Sequence, residues 1–322
     1  MLKLLSLSDD PYSLEKFGGK AVAVREFLAR NGLDGLELMR WENPQEEAVP
    51  LEKAVGRHMP YWPMFLDFWR GDEKALLEQF DTLENCRGYY YALSRDEFVR
   101  ARHDELLDAA RMGVKYVVFH AAHSHLECCY SGSHPYGDEE IIDAYVGFFN
   151  EILKGVPARF EVLFENHWLP GLTFLDGGAA MRLLERVEYP NKGFVLDVGH
   201  LMNTNLRLKD ENEAVGYILK ALERLGEAAR HIRAMHLNSS ISGPKSIGGK
   251  YAADADFMTR LLSAMRDVGG MDPHQPFVDR GILKVLEFAR PEYLVYELAA
   301  ASLAQLQAAV SAQNEALGGP IV

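Results

Sequence analysis

Short apolar or β-branched runs recur along the chain, and each is followed by a longer stretch whose apolar residues repeat every three or four positions. The first kind of run is strand-like and the second helix-like, so their alternation predicts parallel βα units. Strands are predicted at 2–7, 35–39, 55–59, 114–120, 160–165, 193–197, 232–237 and 293–298. Helices are clearest at 20–31, 95–112, 139–154, 178–187, 212–229, 254–268 and 300–317. Gly32, Gly113, Gly155 and Gly269 fall soon after helix ends, where C-caps favour glycine. Eight strands with helical crossovers close most economically into a (β/α)8 TIM barrel, an α/β fold. An open doubly wound sheet is the runner-up, but no G-x-G-x-x-G follows the first strand.

Composition narrows the function. The 322 residues show no convincing domain boundary, so we expect one barrel domain over 1–322, with a Gly/Ser/Pro-rich loop insertion at about 239–253 after strand seven and another loop at 272–277. With 34 Lys+Arg against 47 Asp+Glu, the net charge of −13 repels phosphate backbones and argues against duplex DNA as a partner. Three cysteines, with Cys86 alone and Cys128 and Cys129 adjacent, exclude a disulfide framework and suit a reducing compartment, so the cytoplasm is expected. The apolar stretch within residues 1–8 is too short for a signal-peptide core, and no run approaches a membrane span.

The chemical signal lies at the strand ends. His58, His120, Glu165, Asp197, His236 and Glu297 stand at or near the C-terminal ends of predicted strands. In a barrel those positions converge on the face that carries active sites. His200 follows Asp197 by three positions, and Asp272-Pro273-His274 precedes the last strand. A lone histidine is more often a satisfied structural residue, so His103, His123, His125, His134, His167 and His231 receive no role. A carboxylate ending a strand is often only the next helix's N-cap. Many carboxylates and imidazoles in one low-dielectric mouth are another matter, because they repel and lose hydration unless a cation binds them. Mixed imidazole and carboxylate donors suit Zn, Mn or Fe(II). Glu37 is either a further group at the mouth or the cap of strand two. Trp41, Trp62 and Trp69 could wall the mouth or simply pack. Lys245, Lys250 and Arg280 are the cationic candidates for a substrate phosphate, and the Ala-rich C-terminal helix could cover the barrel or pair with a second subunit.

The phrases Gly-Leu-Asp-Gly-Leu-Glu-Leu at 32–38, Val118-Phe119-His120, Phe164-Glu165-Asn166, Leu196-Asp197-Val198-Gly199-His200, Met235-His236-Leu237-Asn238 and Tyr296-Glu297-Leu298 resemble the xylose isomerase-like barrel superfamily. That superfamily includes sugar isomerases, epimerases and endonuclease IV. Glu165, Asp197, His236 and Glu297 resemble the single metal site of its isomerase and epimerase members. Likeness to endonuclease IV, of AP endonuclease 2 type, implies more. His58 and His120 with Glu165 would hold one ion, Glu165 would bridge to a second held by Asp197, His236 and Glu297, and His200, Asp272 and His274 would hold a third. Tyr61 stands where that family also has a tyrosine. Departures are the 275–281 stretch and the long gap between His236 and Asp272.

The resemblance implies two or three divalent ions (Zn, Mn or Fe) per chain, acting on a small polar substrate such as a phosphorylated sugar. Phosphoester hydrolysis is the first reading, with Glu165, Glu297 and His200 as catalytic residues. Sugar or polyol isomerisation or epimerisation through an enediolate is the alternative, with Glu165 and Glu297 trading a proton and His200 steering oxygen. A multinuclear iron oxidase and a non-enzymatic binding barrel are further readings.

Overall fold

The computed structural model describes residues 1–41, 45–126, 128, 134–243 and 255–318. Lys245, Lys250, Cys129 and most of the 239–253 insertion lie outside the described residues. Strands β1 (Leu2–Ser8), β2 (Gly35–Met39), β3 (Ala54–His58), β4 (Tyr116–His120), β5 (Glu161–Glu165), β6 (Lys192–Asp197), β7 (Ile232–Leu237) and β8 (Tyr293–Tyr296) pair in parallel, in chain order, and β8 returns to β1. The fold is a closed (β/α)8 TIM barrel.

Around it run α1 (Pro11–Glu15), α2 (Ala21–Arg30), α3 (Leu66–Arg70), α4 (Glu73–Phe80), α5 (Leu83–Tyr90), α6 (Arg95–Met112) and α7 (Asp138–Ile152). The second half carries α8 (Gly177–Arg186), α9 (Val198–Asn203), α10 (Glu211–Leu225), α11 (Phe257–Met271), α12 (Ile282–Ala289) and α13 (Leu303–Ala316). The short helices α1, α3, α4, α5, α9 and α12 are not among those predicted, because five to eight residues carry too little periodicity. Gly32, Gly113 and Gly155 take positive φ of 66°, 75° and 81° at helix ends, as C-caps do. Gly269 does not, because α11 continues through it to Met271 and is capped at Asp272. No helix among the described residues is long and apolar enough to cross a membrane.

Strand parity places the site. Side chains alternate between the barrel interior and the helical layer, so residues paired in register share a face. Leu4, Tyr116, Val118, Leu163, Val195, Ala234, Tyr293 and Val295 form a buried interior cluster. In register with its members run Met39 with His58, His120 with Glu165, and Asp197 with His236, one step nearer the mouth. The intervening residues, such as Val117 and Phe119, join the larger core beneath the helices. Gly56 is required by packing: a Cβ there would lie 2.2 Å from the Tyr116 ring, which fills the space that Gly56 leaves. Tyr116 therefore crosses the barrel floor.

Candidate metal centre

At the mouth, Glu165 occupies the middle of a ring of imidazoles. Its Oε2 lies 3.0 Å from His58 Nε2 and 3.5 Å from His120 Nε2. Its Oε1 lies 3.2 Å from both His200 Nδ1 and His236 Nδ1. His236 Nδ1 is also 3.0 Å from Glu297 Oε2 and 3.8 Å from Asp197 Oδ2. Glu297 sits just past the end of β8 and is the more open carboxylate, with its side chain 18% exposed against 1% for Glu165.

Asp197 serves two ends. Its Oδ1 accepts the backbone N–H of His200 at 2.5 Å, so it is the N-cap of α9. Its Oδ2 accepts from Asn238 Nδ2 at 3.0 Å and faces His236. The short turn of α9 brings His200 back over the mouth, where its Nδ1 lies 2.9 Å from the Asn166 carbonyl and its Nε2 points 3.2 Å from Asp272 Oδ2. Asp272 and His274 come from the loop after α11. An isolated antiparallel bridge between Ser239 and Gln275 ties that loop to the exit of β7, and Ser240 Oγ donates to Asp272 Oδ1 at 2.5 Å. His274 Nε2 lies 2.9 Å from Asp272 Oδ2, on a backbone held at φ 45°.

Three groups of ligand-type atoms result, each within a 4.8 Å span: His58, His120 and Glu165; Glu165, Asp197, His236 and Glu297; and His200, Asp272 and His274. All nine predicted positions meet. The family model for the xylose isomerase-like TIM barrel matches residues 25–277. The chain belongs to that family. Among solved structures of this xylose isomerase-like fold, AsfvAP:AG aligns at TM-score 0.53 with 14% identity, over 98% of each chain. The IOLI protein with a bound zinc atom aligns at 0.51 with 15% identity, over 98% of this chain and 96% of that one. D-psicose 3-epimerase in the presence of D-fructose aligns at 0.51 with 11% identity, over 99% and 97%. At such identities the likeness is one of fold. No curated protein matches the sequence.

Electrostatics follow from crowding. Burial pushes His120 down to about 3. Burial also acts against the charged forms of His200 and His236, but the carboxylates around them win and raise both. His274 goes up to about 9, burial being outweighed by Glu297 and Asp272. Burial would raise the Glu165 carboxyl, but His120 and His236 hold it well below the usual range. Asp197 rises to about 7, by burial first and then by Glu297, Glu165 and Asp272. Without another cation, protons on imidazole balance the carboxylates.

Other expectations change. Glu37 does not end its strand: it is the third residue of β2, fully buried in the barrel, and bonds to Tyr116 and His236. Trp69 is core, stacked on Phe65 with Arg95 over its ring at 3.6 Å. Trp41 and Trp62, with Tyr91, line a cavity of about 340 Å³ beside Pro60. Arg280 is exposed near Gly318. Tyr61 donates to the Ala122 carbonyl at 3.0 Å and its ring lies 4.6 Å from that of His120. His167 packs between His120 and His200, ring centroids 5.4 and 4.7 Å away.

A further triad was missed by treating histidines singly: Asp67, His123 and His125 also lie within 4.8 Å. The carboxylate is fully engaged, accepting from His125 Nε2 at 2.7 Å, Gln79 Nε2 at 2.6 Å and the Tyr136 hydroxyl. His123 Nδ1 accepts the Leu66 N–H at 3.0 Å, which leaves the ring's proton on Nε2. The triad offers N–H groups where an ion needs lone pairs. It braces the loops after β3 and β4.

Proposed function

We propose that this chain is an enzyme using two or three divalent ions, of the Zn, Mn or Fe(II) type, to hydrolyse a phosphoester in a small sugar-phosphate-like substrate. The observation that carries the reading is Glu165, whose two oxygens face different pairs of imidazoles and so suit a carboxylate bridging two ions. Fit to ions is supported by sealed-off donor atoms. Glu165 Oε1, His236 Nδ1, Glu297 Oε2 and His274 Nε2 are buried and make no directed hydrogen bond, although each lies near a partner of opposite character. Glu165 Oε1 and Glu297 Oε2 crowd His236 Nδ1, while His274 Nε2 stands apart beside Asp272. Such groups are costly to bury unless something satisfies them.

In this reading His58 and His120 hold one ion with Glu165. Asp197, His236 and Glu297 hold a second with the same Glu165, and His200, Asp272 and His274 hold a third. Ions so placed supply an acidified water and neutralise charge on a leaving oxygen. The chain does the rest. Glu297, the more open carboxylate, takes or returns a proton at its Oε atoms. His200 is oriented by the Asn166 carbonyl, and its partnership with Asp272 makes it a holder of the third ion more than a free base. Trp41, Trp62 and Tyr91, with Arg40 and Arg102, line a cavity of about 340 Å³, of small-ligand size, whose lining includes none of the nine ligand residues. The whole chain acts as one domain. The burial of Cys86 and Cys128 and the odd cysteine count favour the reducing cytoplasm.

One observation favours a second reading. Glu165, Asp197, His236 and Glu297 form a complete four-donor set by themselves, enough for a sugar isomerase or epimerase with one ion, Glu165 and Glu297 exchanging a carbon-bound proton. Metal counting in freshly purified protein, with phosphate release and solvent-deuterium uptake measured over a panel of sugars and sugar phosphates, separates them. Two or three ions with phosphate release support hydrolysis. A single ion with deuterium uptake replaces it by isomerisation, and iron with an absorbance change in air replaces it by redox chemistry.

A further inference from the structure

Behind the second ligand set lies a carboxylate that the proposed function leaves idle. Glu37 is fully buried and in register with Gly56, the residue whose missing side chain admits Tyr116. Tyr116 donates its hydroxyl to Glu37 Oε2 at 2.8 Å. The two Glu37 oxygens lie 3.0 and 3.1 Å from His236 Nε2. A carboxylate at that distance keeps the imidazole proton on Nε2, and the Nδ1 lone pair is then left facing Glu165, Asp197 and Glu297.

The other imidazoles are braced more weakly. His58 Nδ1 lies 3.0 Å from the Met59 carbonyl, and His200 Nδ1 lies 2.9 Å from the Asn166 carbonyl with Glu165 Oε1, a carboxylate shared with the mouth, farther off at 3.2 Å. His120 Nδ1 has no hydrogen-bond partner among the described residues. A charged acceptor behind an imidazole orients it and raises its basicity more than a neutral carbonyl does.

We propose that Glu37, held in place by Tyr116, is the positioning residue that aims His236 at the Glu165–Asp197–Glu297 set and makes that set the tightest of the three. This rests on the metal-centre reading above. Glu37, His58 and His236 are close enough to share an ion of their own. A neutral His236 has only one lone pair, however, so it serves that position or the mouth, not both. The second set offers three carboxylates around Nδ1, and the Tyr116 hydroxyl already occupies Glu37. The mouth wins.

The test is a Zn²⁺ titration of metal-stripped protein against a chromophoric chelator. In Glu37→Gln, the tightest class of ion is expected to weaken by about 10- to 100-fold, with the weaker classes unmoved and the same number of ions bound at saturation. Tyr116→Phe should weaken the same class by less. Glutamine retains the shape and an acceptor for Tyr116, and circular dichroism of the metal-free variants reports folding. If Glu37→Gln does not fold, Tyr116→Phe decides. Unchanged affinity in a folded variant, equal weakening of every class, or loss of one ion at saturation overturns the proposal, the last by making Glu37 a ligand. A wild-type chain that binds no Zn²⁺ overturns the metal-centre reading as well, so the two failures are distinguishable.

Discussion

Two regions of this molecule crowd histidines and carboxylates into groups that each span 4.8 Å or less, yet they differ in what their lone pairs do. Asp67 and His125 satisfy one another and their neighbours, and His123 buries a protonated Nε2 that has no lone pair to offer. Asp67 accepts three hydrogen bonds, and a backbone N–H occupies His123 Nδ1. At the mouth, Glu165 Oε1, His236 Nδ1, Glu297 Oε2 and His274 Nε2 are buried without directed bonds. Convergence of histidines and carboxylates therefore does not by itself make an ion site. Lone pairs must point inward while the opposite ring nitrogens are held from behind, as Glu37 and the carbonyls of Met59 and Asn166 hold His236, His58 and His200.

The contrast breaks most sharply at Glu165. Glu165→Gln removes the shared charge and should lower turnover on the order of a thousandfold, with at least one ion fewer by elemental analysis. Full metal content in that variant would erase the distinction between the clusters. Asp67→Asn should do the reverse. It leaves the metal content unchanged but destabilises the protein by about 2–4 kcal/mol in chemical denaturation, because buried donors lose their charged acceptor. His274→Asn tests the third set. Asparagine tolerates the positive φ at this position, so the fold should persist while one ion weakens by about 10- to 100-fold in chelator competition.

The smallest expected effect is pH dependence. His274 titrates near 9 in the metal-free protein, so binding at the third set must displace its proton. Affinity there should rise at least tenfold per pH unit up to about 9, because His200, also raised by its carboxylate neighbours, gives up a proton as well. Because the folded pKa lies above the unfolded one, His274 stabilises the metal-free chain below the usual histidine range and loses that contribution as pH climbs to about 9. Thermal melts of stripped protein should therefore decline across that window, while His123, pushed down to about 3 by burial, leaves no mark there.

Much of the barrel was legible because its strands are short runs rich in buried apolar residues. The predicted and observed bounds coincide at β2 and β7, and elsewhere shift by two residues or fewer. Reading the strand ends was enough to list six of the mouth residues, because parity within a barrel carries every second side chain inward; His200, Asp272 and His274 came from their places after Asp197 and before the last strand and from the family likeness. Histidines considered one at a time misled. His123 and His125 seemed idle until α3, β4 and the loop before α7 brought Asp67 and Tyr136 to them. Glu37 was read as a strand end although β2 was expected to run on to Met39, and nothing local reveals that Tyr116 waits across the floor.

The linear order of residues determined the alternation of strands and helices, and with it which side chains could share the mouth, since both depend on local periodicity. Which nitrogen of each imidazole carries a proton, and hence which cluster has lone pairs to give, was decided only by tertiary packing. A tautomer is chosen by the partner behind the ring. For His236 that partner lies 199 positions away in the chain.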